Sequence, residues 1–249
     1  MISDKKLSSL FLTGCIFSGM LYLQQAQAAV ALDRTRVIFN GSEKSVSLSI
    51  SNENKELPYL AQGWIENEQG QKVKTPLAVL PPIQRLEAGA KSQMKISALP
   101  DVHSLAKDRE TLFYFNLREI PPKSEKANVL QLALQTRIKL FYRPDALAVT
   151  NNTKPWQEEL TLTKQGNQYQ VNNPTPYYVT LVSAAKKVNG SSIQAFEPLM
   201  IDPNSSAMIN ISASVLGDSP VLTYVNDYGG RPQLSFSCQQ MSCQAKPVK

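Results

Sequence analysis

The sequence VLQLALQTRIKLFY, residues 129–142, is the stretch that decides the fold. Its even-numbered positions are largely apolar, from Leu130 through Leu140, whereas Gln131, Arg137 and Lys139 mark a polar face. This alternation is typical of a β-strand with one buried face. At about 14 residues, it is two to three times as long as an ordinary strand. We therefore predict one long strand over residues 129–142.

Similar runs recur outward from this stretch in both directions. Runs rich in β-branched and aromatic residues, bounded by Asn, Gly and Pro, recur roughly every ten residues, and helix signals are weak. The predicted strands are residues 30–39, 45–51, 59–66, 79–80, 93–98, 112–120 and 129–142, followed by 158–164, 168–172, 178–185, 206–211, 220–226 and 233–238. Because an immunoglobulin-like sandwich takes about seven strands, we predict an all-β chain with two such domains in tandem.

The boundary between the two domains is predicted just after the long strand. Pro144 follows that strand, and a polar stretch, residues 150–155, comes next. Proline ends a ladder because it lacks an N–H donor, and the polar stretch has nothing to bury. We expect an N-terminal domain over residues 29–146 and a C-terminal domain over residues 147–249.

Residues 1–28 have the layout of a cleaved secretory signal peptide. Lys5 and Lys6 precede an apolar run, residues 7–23, and Ala26-Gln27-Ala28 supplies small residues at a cleavage site. A membrane anchor and a lipoprotein cysteine at Cys15 are the alternatives. The run is at the short limit for a spanning helix, and apolar sequence continues well past Cys15. We expect export, with no membrane insertion of the mature chain.

Composition and motifs disfavour several functional classes. The net charge is +6, but the basic residues are scattered, so we expect no nucleic-acid partner. His103 is the single histidine, so no Ser-His-Asp or Cys-His arrangement with a base is visible, and we expect no enzyme. No GxxxxGK[ST] loop is present, and we expect no cofactor or metal. In an exported protein, Cys238 and Cys243 are predicted to form a disulfide.

The leucines at the start of the long strand, Leu130, Leu132 and Leu134, admit two interpretations. They can face the core of their own domain, which periodicity alone favours. Alternatively, the strand can extend beyond its sandwich and offer the leucines to a partner as an added strand. An exposed leucine row without a partner would be an aggregation hazard. The alternation itself does not exclude either interpretation.

Four sequence blocks resemble the periplasmic pilus chaperone family over essentially the whole mature length. They are LDRTR at residues 32–36, DRETLFYFNLREIPP at 108–122, IKLFYRP at 138–144 and NDYGGRP at 226–232. The resemblance implies two immunoglobulin-like domains in a boomerang arrangement with a cleft between them. Its implied clients are pilus (fimbrial) subunits, which are incomplete sandwiches that lack their last strand. The chaperone lends its long edge strand to fill the groove.

The resemblance also implies roles for individual residues. Arg36 and Lys139 are expected to hold the C-terminal carboxylate of the subunit in the cleft. The row of Leu130, Leu132 and Leu134 would be donated to the subunit. A third set, Glu110, Arg143 and Asp227, would form a charge cluster between the domains. Simple alternation places Lys139 on the face opposite the leucines, so serving one client with both requires a twist or a bulge in the strand.

The resemblance further implies a periplasmic location and delivery of subunits to an outer-membrane usher without ATP. The chaperone is expected to be monomeric when it is bound to a subunit. The alternative function is a pilus subunit or a sandwich adhesin. Subunits in such systems are usually single incomplete domains, whereas this chain is predicted to have two complete ones.

Overall fold

The structure is a computed structural model that describes residues 28–126, 128–150 and 153–248. Apart from Ala28, the predicted signal peptide, residues 1–28, lies outside the described residues. Within these ranges, none of the helices has the length and apolar character needed to cross a membrane. The chain is nearly all β and forms two sandwich domains, which confirms the predicted fold class. The exact domain bounds, at residues 146 and 147, stay a prediction.

The described part of the N-terminal domain contains ten strands in two sheets. They are β1 Val30–Leu32, β2 Arg36–Asn40, β3 Ser45–Asn52, β4 Tyr59–Asn67, β5 Lys72–Val73, β6 Leu77–Leu80, β7 Ile83–Leu86, β8 Lys91–Ala98, β9 Thr111–Ile120 and β10 Gln135–Arg143. One sheet has the order β1-β3-β8-β6, and the other has the order β2-β10-β9-β4-β5, with β7 paired to β4. A short 3₁₀ helix, Pro100–Ser104, precedes β9.

The core of this domain lies between the two sheets. Ile138, Leu140 and Tyr142 of β10 point into it, together with fully buried residues such as Phe39 and Phe115. Alternation along β10 therefore buries its even positions, as the sequence pattern predicted for this half of the stretch.

The single strand predicted over residues 30–39 is wrong. The structure divides it into β1, which pairs antiparallel with β3, and β2, which pairs parallel with β10 in the other sheet. The connection between them, residues 33–35, passes from one sheet to the other. A change of sheet keeps apolar residues on the inner side of both strands, so the apolar pattern alone does not reveal it.

The described part of the C-terminal domain contains eight strands. They are β11 Thr161–Gln165, β12 Gln168–Asn173, β13 Val179–Ala185, β14 Leu199–Ile201, β15 Ser205–Ser212, β16 Val221–Tyr224, β17 Gln233–Gln239 and β18 Ser242–Pro247. They form one continuous ladder in the order β14-β13-β16-β17-β18-β11-β12-β15, whose two end strands contact each other. The predicted disulfide between Cys238 and Cys243 joins β17 and β18, where the two residues are register partners.

Other strand predictions also differ from the structure. Residues 158–164 do not form one strand, because Trp156–Glu159 is a 3₁₀ helix and β11 begins only at Thr161. The short strands β5, β7, β14 and β18 were not predicted. With two to six residues each, they are too short to show a clear period of two. Two further short helices are the 3₁₀ helix Asp145–Leu147 and α1, Ala213–Leu216.

The two domains meet at the end of β10. The ring of Phe141 packs against that of Tyr178, with 5.4 Å between the ring centroids. Nearby, the backbone N–H of Glu110 donates to the carbonyl of Pro176 at 2.9 Å. These contacts place the outer face of β10 directly against the C-terminal domain.

Candidate functional site

The stretch 129–142 is not one strand, and this part of the prediction is wrong. Strand β10 begins only at Gln135, and residues 129–134 lie outside the ladder. Leu130 is 84% exposed, Leu132 67% and Leu134 40%. The interpretation that these leucines face the core is therefore wrong as well, because the core ends at Ile138.

One side of β10 is open at its start. On one side, β10 pairs with β9 from Gln135 to Tyr142, and on the other it pairs with β2 only from Lys139 to Arg143. Within the described ranges, residues 135–138 thus have no partner strand on the β2 side. We call residues 129–138 the open edge, since the exposed leucine segment runs directly into these four residues.

Arg36 and Lys139 lie at the end of the open edge. They are register partners in the parallel pair of β2 and β10. Arg36 is the first residue of β2. Both side chains reach toward the C-terminal domain. Lys139 Nζ donates to Thr180 Oγ1 at 3.0 Å, and Arg36 Nη1 donates to the carbonyl of Val225 at 3.1 Å. The structure thereby brings together the two predicted anchor residues.

The charged groups of Arg36 and Lys139 have N–H donors that make no hydrogen bond among the described residues. Among the residues that the structure describes, no carboxylate lies within 4.0 Å of either charged group. The Nε of Arg36 is buried and has no hydrogen-bond partner in this part of the chain. A buried donor without a partner costs free energy, about 1 to 3 kcal/mol. An anion placed between the two side chains would accept these hydrogen bonds.

The electrostatics of the pair also favour an anion. Burial lowers the pKa of Lys139 to about 8, and the positive charge of Arg36 contributes to the same shift. Burial likewise lowers the pKa of Arg36, while the more distant Asp227 and Glu110 oppose this shift. Both shifts mean that positive charge is held here at a cost. A negative charge brought between Arg36 and Lys139 would relieve that cost.

The predicted charge cluster is assembled around Arg143. Its Nε donates to Glu110 Oε1 at 2.8 Å, while its Nη1 and Nη2 donate to the two carboxylate oxygens of Asp227 at 2.8 and 3.2 Å. Glu110 Oε2 also accepts the backbone N–H of Tyr178 at 2.8 Å. Burial raises the pKa of Glu110 to about 7, against the opposing effects of Arg143 and the Tyr178 N–H. The cluster joins the domains, since Asp227 and Tyr178 belong to the C-terminal one.

Sequence reasoning missed the residues that position the two cations. Thr180 on β13 holds the ammonium of Lys139, and the carbonyl of Val225 holds the guanidinium of Arg36. A threonine in a strand gives no signal of this role, and a backbone carbonyl gives none at all. The single histidine, His103, is exposed in the 3₁₀ helix Pro100–Ser104, and the described residues contain no cluster of metal-ligating side chains.

Comparisons with known proteins agree on one family. Residues 29–148 match the family "Pili and flagellar-assembly chaperone, PapD N-terminal domain", and residues 155–236 match "Pili assembly chaperone PapD, C-terminal domain". The chain is 52% identical to the chaperone protein PapD of Escherichia coli over 231 residues, which cover 92% of this chain and 95% of that protein. It is 48% identical to the chaperone protein PmfD of Proteus mirabilis, over 89% of this chain and 88% of that one.

A solved structure extends the match to the fold. A chain from the structure described as "Salmonella enterica SafA pilin in complex with the SafB chaperone" has a TM-score of 0.69 and 27% sequence identity. The match covers 90% of this chain and 98% of that one. Both sandwich domains are thus shared with a known chaperone structure, and the resemblance carried by the four sequence blocks is confirmed. The chain belongs to the PapD family of pili and flagellar-assembly chaperones.

Proposed function

We propose that this protein is a periplasmic chaperone that binds pilus subunits by adding its open edge to them and anchoring their C-terminal carboxylate at Arg36 and Lys139. The observation that carries the proposal is continuity: an exposed leucine row runs into an unpaired strand edge, which ends at two cations without a carboxylate partner in the described residues. The matching pili-assembly family and the relatives named as chaperone proteins, PapD and PmfD, support the same function.

The strand order determines how a client strand would enter. A strand added beside residues 135–138 would occupy the side of β10 that β2 occupies further along. It would therefore lie in line with β2 and stop where β2 begins, at Arg36. For the carboxyl end of the client to reach Arg36 and Lys139, the client strand must run in the direction of β2, which is parallel to β10. The proposal therefore requires one orientation of the client strand, parallel to β10.

The leucines would supply much of the binding free energy. Leu130, Leu132 and Leu134 are exposed in the free chain, so burying each of them in a client groove is worth about 2 kcal/mol before ordering costs. Leu134 precedes β10, but its carbonyl still accepts the Glu119 N–H at 3.0 Å, so its backbone continues the pairing with β9. Leu130 and Leu132 lie beyond this hydrogen bond and can therefore turn toward a client, although Lys139 lies on the opposite face of the strand from Ile138 and Leu140.

The carboxylate anchor would set the register. A guanidinium and an ammonium together can satisfy both carboxylate oxygens with charge-assisted hydrogen bonds. A slip of one residue would turn the client's inward side chains outward, so a fixed end point is needed for specific binding. In this scheme, Thr180 and Val225 hold the two cations in place before the client arrives.

The remaining parts of the proposal concern partners and energy. The bound subunit would be delivered to an outer-membrane usher, with the chaperone monomeric in the complex. The protein would act by binding and not by catalysis. No ATP is required, since the free energy comes from the folding of the client on the donated edge. The structure of a pilin bound to the SafB chaperone is the precedent among the relatives.

The test is recovery of complexes from periplasm. The chaperone would be purified from cells that express its pilus subunits, and the bound proteins would be identified by mass spectrometry. We expect the native chain to carry subunits and Arg36→Ala to lose them while its circular dichroism is unchanged. Arg109→Ala is the matched control, because Arg109 is an exposed arginine that contacts only Asp108, at 3.6 Å, among the ion pairs of the described residues. Equal recovery with Arg36→Ala would refute the anchor.

A further inference from the structure

A loop of the C-terminal domain, residues 226–230, carries the most exposed large apolar side chain in the described ranges. Tyr228 in this loop is 93% exposed, which is more than Leu130 at 84%. A tyrosine left in water gains nothing for the fold, whereas tyrosine is among the residues that contribute most to binding interfaces. Its exposure therefore raises the question of what it contacts.

The backbone of this loop is fixed by its own hydrogen bonds. Asn226 Oδ1 accepts from the N–H groups of Tyr228 at 3.1 Å and Gly230 at 2.8 Å, and the Asn226 N–H donates to the Gly230 carbonyl at 3.0 Å. Gly229 has a φ of +82°, and a Cβ built there would lie only 2.8 Å from Thr35 Oγ1. The loop is thus packed closely against the residue that precedes Arg36.

The residues just before Tyr228 are attached to the site described above. Arg36 donates to the carbonyl of Val225, just before the loop, and Arg143 makes two hydrogen bonds to Asp227, the residue before Tyr228. The backbone of Tyr228 is therefore positioned relative to Arg36 before any client binds. Binding then has to order only the side-chain torsions of Tyr228, which costs less conformational entropy than ordering the whole loop.

Tyr228 and Arg36 line the same cavity between the domains. Its volume is about 660 Å³, and its wall also includes Ile38, Trp156 and Tyr224. A client that ends at Arg36 would place its last side chains at this cavity. The wall is mixed, since charged side chains such as Asp33 and Arg34 line it as well. Its aromatic and aliphatic groups would suit an apolar side chain of the client, while Arg36, at the border of the cavity, and Lys139, outside it, would take the carboxylate.

We propose that Tyr228 is a specificity-determining contact for the client, packing against an apolar or aromatic side chain at its C-terminus. This inference rests on the proposed function, since it assumes that the terminal carboxylate lies at Arg36 and Lys139. It adds a preference for the kind of residue that ends the client, which the two cations alone do not provide.

The experiment uses synthetic peptides of alternating apolar residues with a free C-terminal carboxylate and with Phe, Leu or Ala as the last residue. Affinities would be measured by calorimetry for the native chain, Tyr228→Ala and Tyr228→Phe. We expect Tyr228→Ala to weaken binding of the Phe-terminated peptide about fivefold to tenfold and to leave the Ala-terminated peptide nearly unchanged. Tyr228→Phe should retain the native preference, because the ring makes the contact.

The outcomes separate this inference from the proposed function. Binding that requires Arg36 and a free carboxylate, yet is unaffected by Tyr228→Ala for every peptide, would overturn only the role of Tyr228. The same is true of an equal loss for all three peptides, which would indicate a structural effect of the loop. If amidated peptides bind as well as the acids, or Arg36→Ala has no effect, the anchor itself fails and this inference fails with it.

Discussion

The two halves of the stretch 129–142 share one sequence pattern but have different surroundings. Residues 129–134 carry leucines on alternate positions and lie exposed outside any ladder, whereas residues 139–142 have a partner strand on both sides and bury Leu140 completely. The difference arises from the two neighbouring strands, because β9 pairs with the stretch only from Gln135 onward and β2 only from Lys139 onward. Alternation thus identifies side chains that prefer burial, and the neighbouring strands determine whether their burial occurs within this chain or against another.

The largest effect on free energy should come from truncating a leucine side chain in the second half. Leu140→Ala removes a side chain with no exposed surface and leaves a cavity between the sheets, so we expect the free energy of unfolding to fall by about 4 kcal/mol. Denaturant unfolding followed by circular dichroism measures this. Leu132→Ala is the matched substitution in the first half, and it should change the free energy of unfolding by less than about 0.5 kcal/mol. Equal destabilisation by both would show that the leucine row is part of the core.

A smaller effect is expected where the two halves join. Lys139→Met keeps an unbranched side chain that is one atom shorter and removes its charge, which leaves Arg36 alone with the client carboxylate. We expect binding of a client peptide with a free carboxylate to weaken by about 3 kcal/mol. Calorimetry would measure this against Lys91→Met, which alters an exposed lysine on β8. Lys139→Met should bind a C-terminally amidated peptide as well as the native chain does. A similar loss of affinity for the amide would argue against a carboxylate site.

In the first half, Leu132→Ala should weaken binding of the client although it leaves the free energy of unfolding nearly unchanged. Leu132→Ala removes most of a side chain that is 67% exposed in the free chain and would be buried in the client. The expected loss is about 2 kcal/mol of binding free energy to a purified subunit. Competition between the native chain and the variant for one subunit is a suitable measurement. Unchanged affinity would place the client elsewhere on the surface.

The smallest effect is a dependence on pH. Burial holds the pKa of Lys139 at about 8 in the free chain, and a bound carboxylate would raise it, so binding takes up a proton above pH 8. Affinity for the free-acid peptide should therefore fall as pH rises through about 8, by at most about 1.4 kcal/mol per pH unit. Lys139→Met should abolish this dependence. Affinity that rises with pH in the native chain would contradict the assignment.

The stability of the free chain should change in the opposite direction over the same range. The pKa of Lys139 is about 8 in the folded chain and 10.5 for a lysine in its ordinary state, so the unfolded chain binds more protons between these values. The contribution of this group to the free energy of unfolding therefore rises with pH across that window and falls as the pH is lowered toward 8. Binding and folding respond with opposite signs because the client carboxylate reverses the cost of the buried charge.

The sequence predicted the fold class, and it named candidate site residues without their surroundings. The paired strand that holds Lys139 follows from alternation, and the roles of Arg36 and Lys139 came from the resemblance of two separate blocks. The break at Gln135 could not be predicted, since it lies where the pairing with β9 begins, opposite Arg118. The open side of residues 135–138 could not be predicted either, because it depends on where β2 begins, about 100 residues earlier in the chain. Thr180 and Val225 could not be identified either, because their contacts arise only when the second domain packs against β10.

The passage of the chain from one sheet to the other at residues 33–35 determines where a client would stop. These residues connect the end of β1 at Leu32 to the start of β2 at Arg36. Lengthening this connection by one residue and shifting β2 with it would move the end point along β10 by about 3.3 Å and exchange the two faces of the incoming strand. In the proposed binding mode, the length of a short connection inside one protein would thus select which side chains of another protein are sheltered from water during assembly.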